Sequence, residues 1–175
     1  TARSLRAGDS VLLTGTLYTA RDAAHARMHA LLEKGAPLPF PLEGTSVYYT
    51  GPCPAPDGYA LGPCGPTTSS RMDPYTPELL RLGLRAIVGK GERAPEVVSA
   101  LRETGAVYLV AIGGAGALLC SRVERSEVIA FPDLGAEAIC KLTVRNFPAI
   151  VAIDPAGGNL YETGVRTWKG VSEQA

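Results

Sequence analysis

The chain has 175 residues, a length typical of one domain, and 46% of its residues are hydrophobic, which is ordinary for a globular protein. Its 17 Lys and Arg residues equal its 17 Asp and Glu residues, so we expect neither a nucleic-acid partner nor a membrane partner. Apolar runs such as residues 106–112 are too short to span a membrane, and residues 1–6 lack the apolar core of a secretory signal. These features predict a cytoplasmic protein with a single domain over residues 1–175.

Strands and helices are predicted to alternate through the first two thirds of the chain. The predicted elements are a strand over residues 9–18, a helix ending at Gly35, strands over 45–50 and 85–88, helices over 76–80 and 94–104, a strand over 106–112 and a short helix ending at Cys120. We expect Thr19 to cap the first helix, with Asp22 three residues later completing an acidic version of the capping box.

The last third of the chain is predicted to be rich in strands. The expected elements are strands over residues 127–131, 138–146 and 149–154, a hairpin-type turn at Gly157–Asn159, a last piece near Leu160 and a loosely held polar tail from Thr167. Alternating elements followed by strand pairs indicate a layered α/β domain with a mixed sheet.

Four cysteines are spread through the chain at positions 53, 64, 120 and 140. No two of them have the Cys-x-x-Cys spacing of zinc or redox sites. We interpret them as reduced, buried thiols. The sequence therefore predicts no metal site and no iron–sulfur cluster held by this chain alone.

The segment Gly65–Asp73 (GPTTSSRMD) combines a Gly-Pro turn, four consecutive hydroxyl side chains, Arg71 and a terminal aspartate. Four adjacent hydroxyls fit neither a half-buried strand nor a helix interior, but they can cap a helix or hydrogen-bond an anion. The arginine adds a planar fork suited to a carboxylate or a phosphate. These residues alone leave two interpretations open, an anion-binding loop and a solvated loop with a surface arginine.

Two glycine-rich segments follow predicted strands but do not match nucleotide-binding motifs. In the P-loop pattern, Leu84 would replace the first glycine and Gly91 would replace the metal-binding Ser or Thr. In the dinucleotide-binding pattern that Gly114 would open, Leu119 replaces the last glycine. Nucleotide binding is therefore not predicted.

Three cations lie beside predicted turns. Arg21 follows the first predicted strand, Arg71 lies in the hydroxyl-rich loop, and Lys90 lies between two glycines. Positive charge next to a helix N-terminus is unfavourable, so Arg21 either points into solvent or meets an anion. Together the three cations would suit a small ligand with two carboxylates. His25, one turn beyond Arg21, is interpreted as a structural histidine.

Several segments resemble the class I fumarase and L-tartrate dehydratase family, in the same order along the chain. They are residues 8–15 (GDSVLLTG), 19–25 (TARDAAH), 48–52 (YYTGP), 65–73 (GPTTSSRMD), 89–91 (GKG) and 147–154 (FPAIVAID). The motifs R-D-A-A-H and G-P-T-T-S-x-R-M-D are highly specific, and the similarity covers almost the whole chain. The resemblance is to the β subunit of the family, which corresponds to the C-terminal domain of its single-chain members.

The resemblance implies a swivelling β/β/α three-layer domain and a reversible hydro-lyase reaction, such as the dehydration of malate to fumarate. It also implies a four-iron, four-sulfur (4Fe-4S) cluster that is held by a partner α subunit and not by this chain. One open iron of that cluster would bind the substrate hydroxyl as a Lewis acid. The implied assembly is a heterodimer of α and β subunits, arranged as α2β2, which acts on a C4 dicarboxylate and is active only with the α subunit.

Residue by residue, the resemblance implies that Arg21, Arg71 and Lys90 bind the substrate carboxylates. It implies that Thr67 is the catalytic base that takes the C3 proton. A threonine hydroxyl is a weak base, so Arg71 or Lys90 would have to stabilise an alkoxide-like oxygen. The alternative is that Thr67 caps a helix or binds the substrate while another group transfers the proton.

Asp73 and His25 are expected to orient the arginines without touching the substrate.

Two alternative functions stay open beside the fumarase. The first is the β subunit of an L-tartrate dehydratase, because nothing in these residues distinguishes one C4 dicarboxylate from another. The second is a non-catalytic dicarboxylate-binding module on the same scaffold.

Overall fold

The computed structural model describes residues 2–172 of the chain, apart from the side chains of residues 171 and 172. Its strands are Ser10–Thr19 (β1), Ser46–Tyr48 (β2), Ala86–Gly89 (β3), Val107–Val110 (β4), Val123–Ala130 (β5) and Ile139–Ile153 (β6). Its α-helices are Asp22–Glu33 (α1), Thr76–Arg81 (α2), Pro95–Thr104 (α3), Gly116–Cys120 (α4) and Leu160–Ser172 (α5). Short 3₁₀ helices lie at Ala2–Ser4, Ser69–Met72 and Pro132–Glu137.

Within the described residues, the strands form a mixed sheet in the order β1-β2-β3-β4-β6-β5, and β1 also pairs with β6. Strands β1 to β4 run parallel to each other, whereas β6 runs antiparallel to β1, β4 and β5. Parallel strands place their carboxyl ends at the same edge of the sheet, so the loops that follow β1, β2, β3 and β4 gather there. The prediction of an α/β fold with a mixed sheet is confirmed.

Buried apolar side chains pack on both faces of this sheet. Helix α3 shows how the sequence produces this packing, because Val97, Ala100 and Leu101 recur at helical spacing and are all buried. The helix ends at Thr104, and Gly105 after it adopts the left-handed conformation that favours glycine. No helix in residues 2–172 combines the length and the apolar character that a membrane crossing requires.

The start of α1 differs from the prediction. Thr19 does not cap this helix; it is the last residue of β1, and its hydroxyl accepts a hydrogen bond from the Cys140 amide at 2.9 Å. The helix begins at Asp22, and the Ala23 amide donates to Glu137 Oε2 at 2.8 Å. The predicted capping box is wrong because a carboxylate distant in sequence provides the cap.

Strand β6 is also longer than predicted. The prediction of separate strands over residues 138–146 and 149–154 is wrong, because β6 continues through Pro148. Pro148 lies opposite Leu12 of β1, and pairing of β6 with β4 begins at Ile150. Proline has no N–H group to donate. Because β6 is not yet paired with β4 at Pro148, no hydrogen bond to β4 is lost there.

The segment near Leu160 is helix α5 and not a further strand. Asn159 caps the start of this helix, since its side-chain oxygen accepts a hydrogen bond from the Tyr161 amide at 3.1 Å. The turn lies two residues earlier than predicted, at Pro155 and Ala156, where the Gly157 amide donates to the Asp154 carbonyl oxygen at 3.0 Å; an antiparallel bridge between Ile153 and Asn159 follows it. Residues 167–172 continue the helix, and the rest of the predicted tail lies outside the described residues.

Candidate active site

The carboxyl edge of the parallel strands gathers the predicted cations and the hydroxyl-rich loop. Arg21 follows β1, Lys90 follows β3, and the loop Gly65–Asp73 is hydrogen-bonded to Tyr49, which follows β2, and to Lys90. A parallel bridge joins Thr68 of this loop to Lys90. The sheet topology thus brings together segments that are far apart in the sequence.

Hydrogen bonds fix the loop on the strand ends. The Thr67 amide donates to the Tyr49 carbonyl oxygen at 2.8 Å, and the Ser69 amide donates to the Lys90 carbonyl oxygen at 2.9 Å. The Lys90 amide donates to Ser69 Oγ at 3.1 Å. A side chain at Gly89 would overlap with Ser69 Oγ, which explains the glycine in front of Lys90. The position of the loop backbone relative to β3 is therefore well defined.

Asp22 joins the two predicted arginines. Its Oδ1 lies 3.2 Å from Arg71 Nε, and its Oδ2 accepts a hydrogen bond from Arg21 Nε at 3.3 Å. Arg71 also donates from Nη2 to Thr67 Oγ1. The side chains of Arg21 and Arg71 are 26% and 46% exposed, so the cluster is open to solvent on one side. The predicted arginines and Thr67 thus converge around a carboxylate.

Arg21 has a second acidic neighbour. Its Nη2 lies 3.4 Å from Glu137 Oε1, in a carboxylate that also receives the hydrogen bond from the start of α1. The guanidinium lies against Gly51, where an added Cβ would approach Arg21 Nη1 to 2.8 Å. Glu137 is therefore both the cap of α1 and a counterion of Arg21. Neither Glu137 nor Gly51 was predicted to have a role in the site.

His25 lies beneath Arg21 and is fully buried. Its Nδ1 lies 3.0 Å from the Arg21 carbonyl oxygen, and its ring meets the Tyr49 ring edge-on at a centroid distance of 5.0 Å. Burial lowers the pKa of His25 to about 4, so the imidazole is neutral at pH 7. A neutral ring that donates its Nδ1 proton to the Arg21 carbonyl oxygen holds the backbone of the arginine.

Asp73 has a different partner from the one predicted. Its carboxylate accepts hydrogen bonds from Arg93 Nε at 2.7 Å and from the Ala94 amide at 2.8 Å. The expectation that Asp73 orients Arg21 or Arg71 is wrong, because its carboxylate faces the start of α3 while Arg71 reaches towards α1. Asp73 therefore fixes Arg93, which the sequence analysis did not single out.

Lys90 joins the site through its backbone, which pairs with the loop, and its side chain is half-buried. Among residues 2–172, no carboxylate forms a salt bridge with its ammonium group. The three predicted cations thus differ, since both arginines have carboxylate partners and the lysine keeps an uncompensated charge. That charge is available to an anionic ligand.

The four cysteines of this chain differ in burial. Cys64, Cys120 and Cys140 are buried as predicted, whereas Cys53 is exposed, contrary to the prediction. The Cys120 thiol donates to the Leu61 carbonyl oxygen at 2.7 Å, and burial raises the pKa of the Cys64 thiol to about 12. In the described part of the chain, no three His, Cys, Asp or Glu side chains form a group that could hold a metal ion.

The amino-acid sequence of this chain is similar to those of several fumarate hydratases. The chain is 40% identical over 156 residues to Fumarate hydratase 2 of Leishmania major, a match that covers 88% of this chain and 28% of that protein. It is 39% identical over 153 residues to the anaerobic class I fumarate hydratase of Escherichia coli, which covers 86% of this chain and 28% of that protein. The chain therefore spans little more than a quarter of the length of these relatives.

A third relative is similar over most of its own length. The chain is 41% identical over 166 residues to the Putative L(+)-tartrate dehydratase subunit beta of Methanocaldococcus jannaschii, a match that covers 91% of this chain and 85% of that protein. The family model described as Fumarase C-terminus matches residues 1–164, a range that includes every residue of the cluster around Asp22. This chain belongs to the fumarase C-terminal domain family.

Proposed function

We propose that this chain is the β subunit of an iron–sulfur-dependent hydro-lyase that, together with an α subunit, catalyses the reversible dehydration of malate to fumarate. The observation that carries the proposal is the Asp22 carboxylate held between the forks of Arg21 and Arg71, beside Thr67. Two guanidinium groups that surround one carboxylate of this chain could bind one end of a dicarboxylate substrate in the same way. The names of the relatives, fumarate hydratase and tartrate dehydratase, support the class of reaction.

In this proposal the substrate carboxylates bind Arg21, Arg71 and Lys90. The ion pairs of both arginines with Asp22 are partly exposed, and such pairs contribute about 0–1 kcal/mol. An incoming carboxylate therefore takes over the arginine donors at small cost. Lys90, whose ammonium has no salt-bridge partner among the described residues, compensates the second negative charge of the substrate.

We assign the removal of the C3 proton to Thr67. Its amide is fixed on the Tyr49 carbonyl oxygen, and its Oγ1 accepts a hydrogen bond from Arg71 Nη2. A cationic donor at this oxygen stabilises the negative charge that a threonine base must carry. In the alternative, Thr67 binds the substrate and another group accepts the proton.

The proposal places the 4Fe-4S cluster on the α subunit. Two observations support this division. The described residues contain no group of His, Cys, Asp or Glu side chains that could hold a metal ion, and the chain spans little more than a quarter of the fumarate hydratase length. We propose an α2β2 assembly that is active only when the α subunit is present. The swivelling β/β/α three-layer description belongs to the same proposal. The single domain over residues 1–175 and the cytoplasmic location stay predictions.

An L-tartrate dehydratase β subunit is the second candidate. It is favoured by the relative that bears this name, because the match covers 85% of that protein. The groups around Asp22 bind carboxylates. Malate and tartrate both carry two carboxylates, so these contacts fit either substrate. A dicarboxylate-binding module without catalysis is the third candidate.

Reconstitution with the α subunit tests the proposal. The complex is assembled without oxygen, its iron content is measured, and the reaction is followed with L-malate, fumarate and L-tartrate. Turnover of malate and fumarate is the expected result. Turnover of tartrate alone would establish the second candidate, and a complex with a full cluster that turns over none of them would contradict the hydro-lyase.

A further inference from the structure

Arg93 lies directly behind the candidate active site. Its side chain is fully buried, Nε donates to Asp73 Oδ1 at 2.7 Å, and Nη2 donates to Thr76 Oγ1 at 2.9 Å. Its Nη1 has no hydrogen-bond partner among the described residues. Burying a charged group is costly unless the group is paired, so this position calls for a physical explanation.

Two buried tyrosines flank the guanidinium group. The Arg93 Cζ lies 4.9 Å from the ring centroid of Tyr108 and 5.5 Å from that of Tyr49. Such contacts stabilise a cation over the face of an aromatic ring. Burial alone would lower the pKa of Arg93, but Tyr49, Asp73 and Tyr108 raise it above its ordinary value. The buried side chain is therefore charged at neutral pH.

The same tyrosines hold the two loops of the site. The Tyr49 carbonyl oxygen accepts the hydrogen bond of the Thr67 amide at 2.8 Å. The Tyr108 hydroxyl lies 2.9 Å from Ser69 Oγ and donates to the Gly91 carbonyl oxygen at 2.8 Å. The surroundings of the buried guanidinium therefore include the groups that fix the hydroxyl-rich loop and the turn after β3.

We propose that Arg93 is a positioning residue of the candidate active site, which fixes the loop that carries Thr67 and Arg71 relative to the turn that carries Lys90. Asp73 ends the loop and Arg93 follows the turn, so their ion pair joins the two directly. The inference rests on the proposed function, because it assumes that a dicarboxylate must meet these groups at a fixed spacing. A lysine does not replace this arginine, since it lacks the planar fork that reaches two acceptors at once.

Variants of the assembled enzyme separate positioning from stability. Arg93→Met leaves Asp73 with no cation, and we expect it to lower both the melting temperature and kcat/KM. In the double variant Asp73→Asn/Arg93→Met both charges are gone, so we expect the melting temperature to recover most of its loss. We expect kcat/KM of the double variant to remain about 100-fold below that of the wild type, because the reacting groups are misplaced.

Arg81→Met is the matched control. Arg81 pairs with Glu103, and both side chains are more than half exposed, so the substitution removes an arginine ion pair outside the site. We expect kcat/KM to change by less than about twofold, since exposed pairs contribute little. Arg93→Lys keeps the charge, and we expect it to leave kcat/KM well below that of the wild type.

Hydrogen exchange gives a readout that does not depend on turnover. The Thr67 amide bonds to Tyr49 and the Ser69 amide to Lys90, so both report on the attachment of the loop. In the stable double variant we expect these amides to exchange about tenfold faster than in the wild type. A double variant with wild-type kcat/KM and wild-type exchange would overturn the role of Arg93. A wild-type complex without hydro-lyase activity would instead contradict the proposed function, and the exchange rates would still decide whether Arg93 couples the loops.

Discussion

Arg71 Nε lies 3.2 Å from Asp22 Oδ1, which connects the hydroxyl-rich loop to the first residue of α1. The other oxygen of the same carboxylate accepts a hydrogen bond from Arg21 at 3.3 Å. Asp22 thus occupies the place between two guanidinium groups that we propose for a substrate carboxylate. It follows that Asp22 and the substrate compete for the same donors.

Asp22→Asn tests this competition. The substitution keeps the shape of the side chain, removes the competing charge and raises the net charge of the site by one. We expect KM for malate to fall by up to about fivefold, which corresponds to about 1 kcal/mol for partly exposed ion pairs. Steady-state kinetics of the assembled complex measure the change. Asp133→Asn is the matched control, since its exposed carboxylate pairs with Arg27 on the surface.

An increase in KM for Asp22→Asn would show that Asp22 orients the arginines and does not compete with the substrate. The Asp133→Asn complex is expected to have the KM of the wild type. If both variants changed KM equally, the effect would come from the net charge of the protein.

Thr67→Val tests the assignment of the base. Valine keeps the shape of threonine and removes the hydroxyl that accepts the hydrogen bond from Arg71. We expect kcat to fall by about 10²- to 10⁴-fold with a small change in KM, since a general base contributes to the chemical step. The assay is the steady-state dehydration of malate by the assembled complex, the direction in which the base removes the C3 proton.

Thr16→Val serves as the control for that substitution, because Thr16 is an exposed residue of β1. We expect this variant to keep the kcat of the wild type. A nearly unchanged kcat in Thr67→Val would refute the base assignment and leave Thr67 as a substrate-binding group.

The buried, neutral His25 makes the free energy of unfolding depend on pH. Its pKa is about 4 in the folded chain and near 6.5 when exposed, so between these values the unfolded state binds more protons. The stabilisation is fully present above about pH 6.5 and is lost as the pH falls towards about 4. The loss amounts to about 3 kcal/mol. Denaturant unfolding at several pH values in this range measures it.

His25→Asn removes the titrating group and is expected to flatten that part of the pH dependence. His29→Asn is the matched control, because His29 is partly exposed one turn further along α1. Its pH dependence should follow that of the wild type between about pH 6.5 and about pH 4. If His25→Asn and the wild type lost stability in parallel, the buried imidazole would not be the cause.

Local patterns account for most of the fold that could be predicted. The apolar spacing of α3 and the β-branched run of β1 are signals within a few residues, and the structure confirms both elements. The full length of strand β6 could not be predicted, because a proline such as Pro148 usually marks a strand boundary and only its pairing with β1 shows that the strand continues. Asn159 did carry a local capping signal for α5, but the glycines before it favoured a turn.

The site shows the same division between local and distant signals. The cations at strand ends could be named from the sequence, because parallel strands gather their carboxyl ends at one edge. Glu137 could not, since it lies 114 residues from the amide of Ala23 that it caps. The pairing of Asp73 with Arg93 also depends on the packing of two loops, and charge alone does not distinguish Arg93 from the other arginines.

Arg71→Ala tests the central claim most directly, through kcat/KM for malate and fumarate in the reconstituted complex. The account predicts a loss of about 10²- to 10³-fold, with an unchanged iron content and an intact fold, because a donor to the substrate is removed. Arg27→Ala, in which a surface arginine of α1 is lost, should keep the activity of the wild type. Wild-type kcat/KM in Arg71→Ala would contradict the claim that this edge of the sheet binds the substrate.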